Sequence, residues 1–127
     1  MASKTPGCSV ETEQVRDVLA AIADKWTLVV LDALDGETLR FADLQRAVGG
    51  ISQKVLTQTL RDLERNGFVT RTVYPEVPPR VEYALTALGE SVSEAMCSLW
   101  HWTDDHHADV LAARARFDAS RTATATR

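Results

Sequence analysis

Between Phe41 and Leu85 the apolar spacing changes twice, and that succession constrains the fold more than any other stretch of the chain. Phe41, Leu44 and Val48 stand at i, i+3 and i+7, the repeat of a short helix. Gly49-Gly50 breaks it. Ser52 can then cap a second helix, because its hydroxyl can accept from an orphan N–H of the first turn. That helix, Ser52 to Asn66, puts Val55, Leu56, Leu60 and Leu63 on one face. Gln53, Lys54, Thr57, Gln58, Arg61 and Arg65 occupy the other. Gly67 ends it as a left-handed residue. Behind it the period drops to two. Phe68 to Val73 and Val81 to Leu85 alternate as strands of a hairpin, joined by Tyr74-Pro75-Glu76-Val77-Pro78-Pro79. Three prolines stiffen that loop.

The flanks are helical. From Glu11, the positions Val15, Val18, Leu19 and Ile22 make one apolar helix face. Asp24 can cap a helix from Lys25 to Leu34 that is apolar nearly all round and is expected at the centre of a core, with Asp35-Gly36 stopping it. Thr86 caps a long final helix bearing Leu88, Val92, Ala95, Met96, Leu99 and Trp102. It reaches towards Phe117, and the spacing leaves open whether it is continuous past Thr103-Asp104. The expected organisation is a flexible arm over 1–10, one domain over 11–118 and a disordered tail over 119–127. The fold class is mainly α with a small β-hairpin.

A chain of 127 residues is about one domain long. Its two cysteines, Cys8 and Cys97, make no disulfide framework, so a reducing, cytoplasmic setting is expected. Residues 1–10 have no apolar run for a signal peptide, and no stretch is long enough to cross a bilayer. There is no Gly-rich phosphate loop, nucleophile elbow or pair of carboxylates in an apolar setting, so neither an enzyme nor a cofactor is expected. With 14 basic against 18 acidic residues, the net charge of −4 argues against a nucleic-acid partner. The distribution reverses that argument. From Arg40 to Arg80 seven basic residues face four acidic ones, +3, and the remainder carries −7.

A short helix, a tight turn and a second helix form a helix-turn-helix, and a hairpin directly behind it is a wing. Gln53, Lys54, Thr57, Gln58 and Arg61 are side chains of the kind that read base edges in the major groove. Ser52 and the helix N-terminal N–H groups can hold a phosphate, and Arg40 joins them as a candidate DNA contact. The plainer reading is an ordinary solvated helix face, in a helical protein-interaction module without DNA binding.

The stretch Gly50-Ile51-Ser52-Gln53-Lys54-Val55-Leu56-Thr57-Gln58-Thr59-Leu60-Arg61-Asp62-Leu63-Glu64 resembles the recognition helix of HxlR-type bacterial transcriptional regulators. Arg71-Thr72-Val73-Tyr74-Pro75-Glu76-Val77-Pro78-Pro79-Arg80-Val81-Glu82-Tyr83 resembles that family's wing. Leu39-Arg40-Phe41 matches its lead-in to the third helix, and Asp24-Lys25-Trp26 stands where the family has Gly-Lys-Trp. The resemblance spans residues 8–105. It implies a winged-helix homodimer that binds a palindromic operator and controls nearby genes.

In the wing, Arg71 and Arg80 are candidate phosphate or minor-groove contacts and Tyr74 a candidate phosphate donor, whereas the charge of Glu76 disqualifies it. A domain this small cannot bury both outer helices, so the first and last helices are the expected dimer interface. A two-fold dimer would set two recognition helices about 34 Å apart. For sensing, Cys8 lies where the family often has Cys-Pro, here followed by Ser9, and several members use that Cys to sense oxidants or electrophiles. A disulfide from Cys8 to Cys97 of the partner subunit is one candidate; the alternative makes Cys97 a small buried hydrophobe. A small aromatic effector is another, in a pocket lined by Trp26, Met96, Trp100 and Trp102 with Phe117, against the alternative that this stripe is core or interface. Cys97, His101 and Asp104 or Asp105 share a helix face, but no CxxC or HExxH spacing is present. A solvated acidic helix end explains them, and no metal is assigned.

Overall fold

The computed structural model describes residues 12–125. The elements run α1 (Glu13–Ile22), α2 (Lys25–Ala33), β1 (Thr38–Arg40), α3 (Phe41–Val48), α4 (Gln53–Arg65), β2 (Val69–Tyr74), β3 (Arg80–Leu85) and α5 (Ala87–Ala125). The arm expected over 1–10 lies outside the described residues. By contact the chain divides into two compact units, Met1–Ser93 and Glu94–Arg127.

Side-chain caps set the helix starts. Thr12 Oγ1 accepts from the Val15 N–H at 3.1 Å, so α1 begins slightly later than Glu11. Asp24 accepts from the Trp26 and Thr27 N–H groups at 2.9 and 3.2 Å. Ser52 Oγ accepts from the Val55 N–H at 3.1 Å. Each satisfies donors that have no intrahelical acceptor. The turn between α3 and α4 needs its glycine pair, because Gly49 and Gly50 hold φ of 70° and 67°. Gln45 ties this turn down by donating from Nε2 to the Ile51 carbonyl at 3.2 Å. At the end of α4, the Gly67 N–H reaches the Glu64 carbonyl (3.1 Å) and the Phe68 N–H reaches the Leu63 carbonyl (2.9 Å). That is a Schellman closure, sealed by two buried apolar residues, Leu63 and Phe68.

The first unit packs around α2. Thr27, Val30, Leu31 and Leu34 are buried there with Leu44 from α3, Ile51 from the turn and Phe68 and Val69 beyond α4. The buried face of α4 is Leu56, Thr59, Leu60 and Leu63. Val55, expected on that face, is 37% exposed, and Thr59 takes its place by donating its hydroxyl to the Val55 carbonyl at 2.8 Å. A buried hydroxyl is tolerable because this bond satisfies it.

The expected hairpin is part of a three-stranded sheet of order β1-β3-β2. β1 pairs antiparallel with β3, Thr38 opposite Ala84 and Arg40 opposite Glu82. Three residues are too few to display a period of two, so this strand is invisible to pattern.

α5 closes one open point and corrects one expectation. It runs unbroken through Thr103-Asp104 and continues to Ala125, so residues 119–125 are helical and not a disordered tail. Thr103 fits mid-helix because its hydroxyl donates to the Leu99 carbonyl at 2.8 Å. Arg and Ala are strong helix formers and carry the end. Among the described residues no helix is long and apolar enough to cross a membrane.

Gly89 lies inside the first turn of α5, not at an element's end. Thr86 joins this turn to the end of α4: its hydroxyl donates to the Gly67 carbonyl (2.6 Å) and accepts from the Gly89 N–H (3.0 Å). A Cβ at residue 89 would stand 2.0 Å from the Phe68 carbonyl oxygen. Gly89→Ala should therefore destabilise the protein by about 1–3 kcal/mol, although alanine is intrinsically the better helix former by about 1 kcal/mol. Thermal melts of the two proteins check the sign; an unchanged or raised Tm would show that the contact relaxes freely.

Candidate nucleic-acid interface

Burying Leu56, Leu60 and Leu63 fixes the rotation of α4, so its opposite face must look outward. Gln53, Lys54, Thr57, Gln58 and Arg61 come together there and line a shallow groove of about 530 Å³. All five were singled out as base readers from the sequence. Ser52 is exposed at the head of the helix, its hydroxyl engaged as the cap. The N–H groups of Gln53 and Lys54 have no intrahelical acceptor, which makes this end suited to a phosphate.

Two side chains of the groove are oriented from within the helix. Thr57 donates its hydroxyl to the Gln53 carbonyl at 2.7 Å. Gln58 donates from Nε2 to Asp62 Oδ1 at 3.0 Å, which leaves its carbonyl oxygen and second amide hydrogen for a base edge. Asp62 is thus an orienting residue that sequence reasoning passed over. Its i, i+4 spacing from Gln58 was the available signal.

Charge on this side is divided. Lys54, Arg61 and Arg71 are exposed and make no ion pair among the described residues. Arg46 is paired with Asp43. Arg40 is exposed at the end of β1, opposite Glu82. In the wing, Tyr74 and Arg80 are opposed across β2 and β3. The Arg80 guanidinium lies 3.9 Å from the Tyr74 ring centroid, with Nη2 3.0 Å from Glu76 and Nη1 3.7 Å from Glu82. Glu82 is a wing participant that the sequence reading left out, and Glu76, set aside there as a DNA contact, enters as a partner of Arg80.

The sensing candidates scatter. Cys8 lies outside the described residues. Cys97 is exposed on a single copy of the chain, so no residue of its own subunit buries it as the alternative reading has it. Met96 is buried, whereas Trp100 and Trp102 are exposed, and Trp102 stacks on His106 with centroids 4.8 Å apart. Trp26 is half-buried and lines a groove of about 850 Å³ with Val18, Val55, Thr59 and Arg65, among α1, α2 and α4. Among the described residues no group of three or more His, Cys, Asp or Glu is placed to hold a metal ion.

Comparison with known proteins places this arrangement. The model of the family described as HxlR-like helix-turn-helix matches residues 21–110. The HTH-type transcriptional regulator YtfH of Escherichia coli K12 is 48% identical over 99 residues, covering 78% of this chain and 79% of that one. The structure of the transcriptional regulator ytfH from Salmonella typhimurium superposes with a TM-score of 0.71 at 46% identity, over 78% of this chain and 88% of that one. The redox regulator HypR in its reduced form gives a TM-score of 0.71 at 34% identity, over 80% of this chain and 99% of that one.

Proposed function

Because this chain belongs to the HxlR-like helix-turn-helix family of transcriptional regulators, we propose that it binds a palindromic operator in the cytoplasm as a homodimer and responds to oxidants through its cysteines. One observation carries the operator reading: Gln53, Lys54, Thr57, Gln58 and Arg61 share one outward groove on the helix that follows the Gly49-Gly50 turn. A recognition helix needs this combination of amide, hydroxyl and cationic donors on one face. A helical interaction module has no reason to set it in front of a wing.

Ser52, Arg40, Arg71 and Tyr74 are assigned to the backbone, where they fix register without reading sequence. The test is an anisotropy titration of the protein against duplex DNA from its own promoter, over a salt series. Affinity should fall steeply with salt, by a log–log slope of about −0.9 per neutralised phosphate. It should also exceed the affinity for a random duplex by about 10³-fold or more. Binding that is absent, or equal for both duplexes, would refute the operator reading.

The redox response rests on two supports. Cys97 is exposed, and this chain is similar to HypR, a redox regulator solved in reduced and oxidised forms. Cys97 is assigned a disulfide with Cys8 of the partner subunit, formed as two thiols give up their hydrogens to the oxidant. After diamide, non-reducing electrophoresis should show a covalent dimer that disappears in both Cys8→Ser and Cys97→Ser. A wild type that stays monomeric on the gel would remove the bridge.

A further inference from the structure

An arginine closing a wing loop is, on its face, a phosphate or minor-groove contact, but the surroundings of Arg80 point elsewhere. Its guanidinium is held from three sides. The Tyr74 ring lies beneath it at 3.9 Å, Glu76 Oε2 meets Nη2 at 3.0 Å, and Glu82 Oε2 lies 3.7 Å from Nη1. Its Nε is buried without a hydrogen-bond partner among the described residues. The side chain is 31% exposed.

Hairpin register produces this arrangement. Tyr74 and Arg80 are the last opposed pair of β2 and β3, so their side chains leave the ribbon on the same face. Glu82 is two residues further along β3 and shares that face. Glu76 lies in the loop that Arg80 closes. Glu76 and Glu82 thus answer the charge of Arg80 together with that of Arg40, which stands opposite Glu82, and the Arg80 guanidinium has no uncompensated charge to offer a phosphate. Arg71, opposite Tyr83, projects from the other face of the ribbon and is exposed.

We infer that Arg80 is a positioning residue: it clamps the wing loop through Tyr74, Glu76 and Glu82, and leaves Arg71 to carry the wing's charge to DNA. The function of the clamp rests on the operator reading; its existence does not. A phosphate contact asks only for positive charge, whereas the clamp needs a planar fork that can stack and bridge two carboxylates, so lysine should not replace it.

Two measurements on the full chain test this. In the DNA-free protein, hydrogen exchange of the amides over 74–81 should quicken about tenfold in Arg80→Lys and Arg80→Ala alike, with α4 unchanged. In this exchange measurement Tyr74→Phe, which keeps the ring face and loses only the hydroxyl, should match wild type, and Tyr74→Leu should reproduce Arg80→Ala. Against own-promoter duplex, Arg80→Ala should bind more weakly with its salt slope retained, whereas Arg71→Ala should lose about one unit of slope. Wild-type exchange in Arg80→Ala, full function in Arg80→Lys, or a slope reduced by about one in Arg80→Ala would each overturn the clamp. Failure of the operator reading is a separate result: wild type would then show no salt-dependent DNA binding, and the exchange data would still decide the clamp.

Discussion

A chain carrying Val18→Glu and Leu19→Glu is expected to sediment as a monomer and to bind own-promoter DNA about 10²- to 10⁴-fold more weakly than wild type. The reasoning begins with α1. It has no buried residue, and Val15, Val18 and Leu19 are each about half exposed on one face. A ten-residue helix is too short to be stable by itself, so packing of its apolar face must hold it. α5 presents its own exposed apolar residues, Leu99, Trp102, Leu111 and Phe117. Unpartnered apolar surface marks each of these elements for interaction, and a second copy of the chain is the occupant we propose for α1. Removing the dimer should remove the gain from engaging two half-sites at once, while each recognition helix keeps its contacts. Neither position belongs to the buried core, so the double variant should keep a cooperative thermal unfolding transition, with a loss of far-UV circular dichroism no larger than α1 itself contributes. A variant that remains dimeric with undiminished DNA affinity would place the interface elsewhere.

Legibility in the sequence followed the range of the interaction. Caps are local, so Asp24, Ser52 and Thr86 announce the starts of α2, α4 and α5, and each makes the bond its position suggests. The outward face of α4 was legible for the same reason: helix rotation follows from which residues are apolar, and Leu56, Leu60 and Leu63 leave one solution. Val55 was misplaced because it borders that face, where the spacing cannot decide between burial and exposure. β1 was not legible, since pairing Thr38 with Ala84 is decided by a strand far along the chain. The engagement of Arg80 was hidden too. It needs the register that opposes Tyr74 and Arg80, and that register is set by the length of a loop whose conformation the proline count alone does not give. Net charge misled most, because a sum over the whole chain discards where the charges are. A −4 chain can still present Lys54 and Arg61, neither of them in an ion pair among the described residues, on one exposed face.

Arg61→Ala should cost about 1–3 kcal/mol at one base-pair position of the operator, a loss of about 5- to 150-fold, and should leave folding stability unchanged. Arg61 is exposed, outside the buried face of α4, and makes no ion pair among the described residues, so little in the folded chain depends on it. Its guanidinium shares a groove with Gln53, Lys54, Thr57 and Gln58 and is the one side chain of the five that can present two parallel donors in a rigid fork. Guanine offers the matching pair of acceptors in the major groove. Two substitutions separate this role from a phosphate contact. Arg61→Lys keeps the charge and loses the fork, so it should retain the salt dependence of binding yet discriminate poorly at that base pair. Arg61→Ala should bind wild-type operator and a duplex changed at that position with nearly equal affinity, whereas wild type tells them apart. The measurement is a panel of duplexes, each carrying one base-pair change, titrated against the three proteins at fixed salt. If Arg61→Ala loses the same factor on every duplex and Arg61→Lys restores it, the arginine meets the backbone and sequence is read by Gln53, Lys54, Thr57 and Gln58 alone. The fork geometry favours the first outcome, because a point charge would serve a phosphate as well and would not need to stand beside a glutamine whose amide Asp62 already orients.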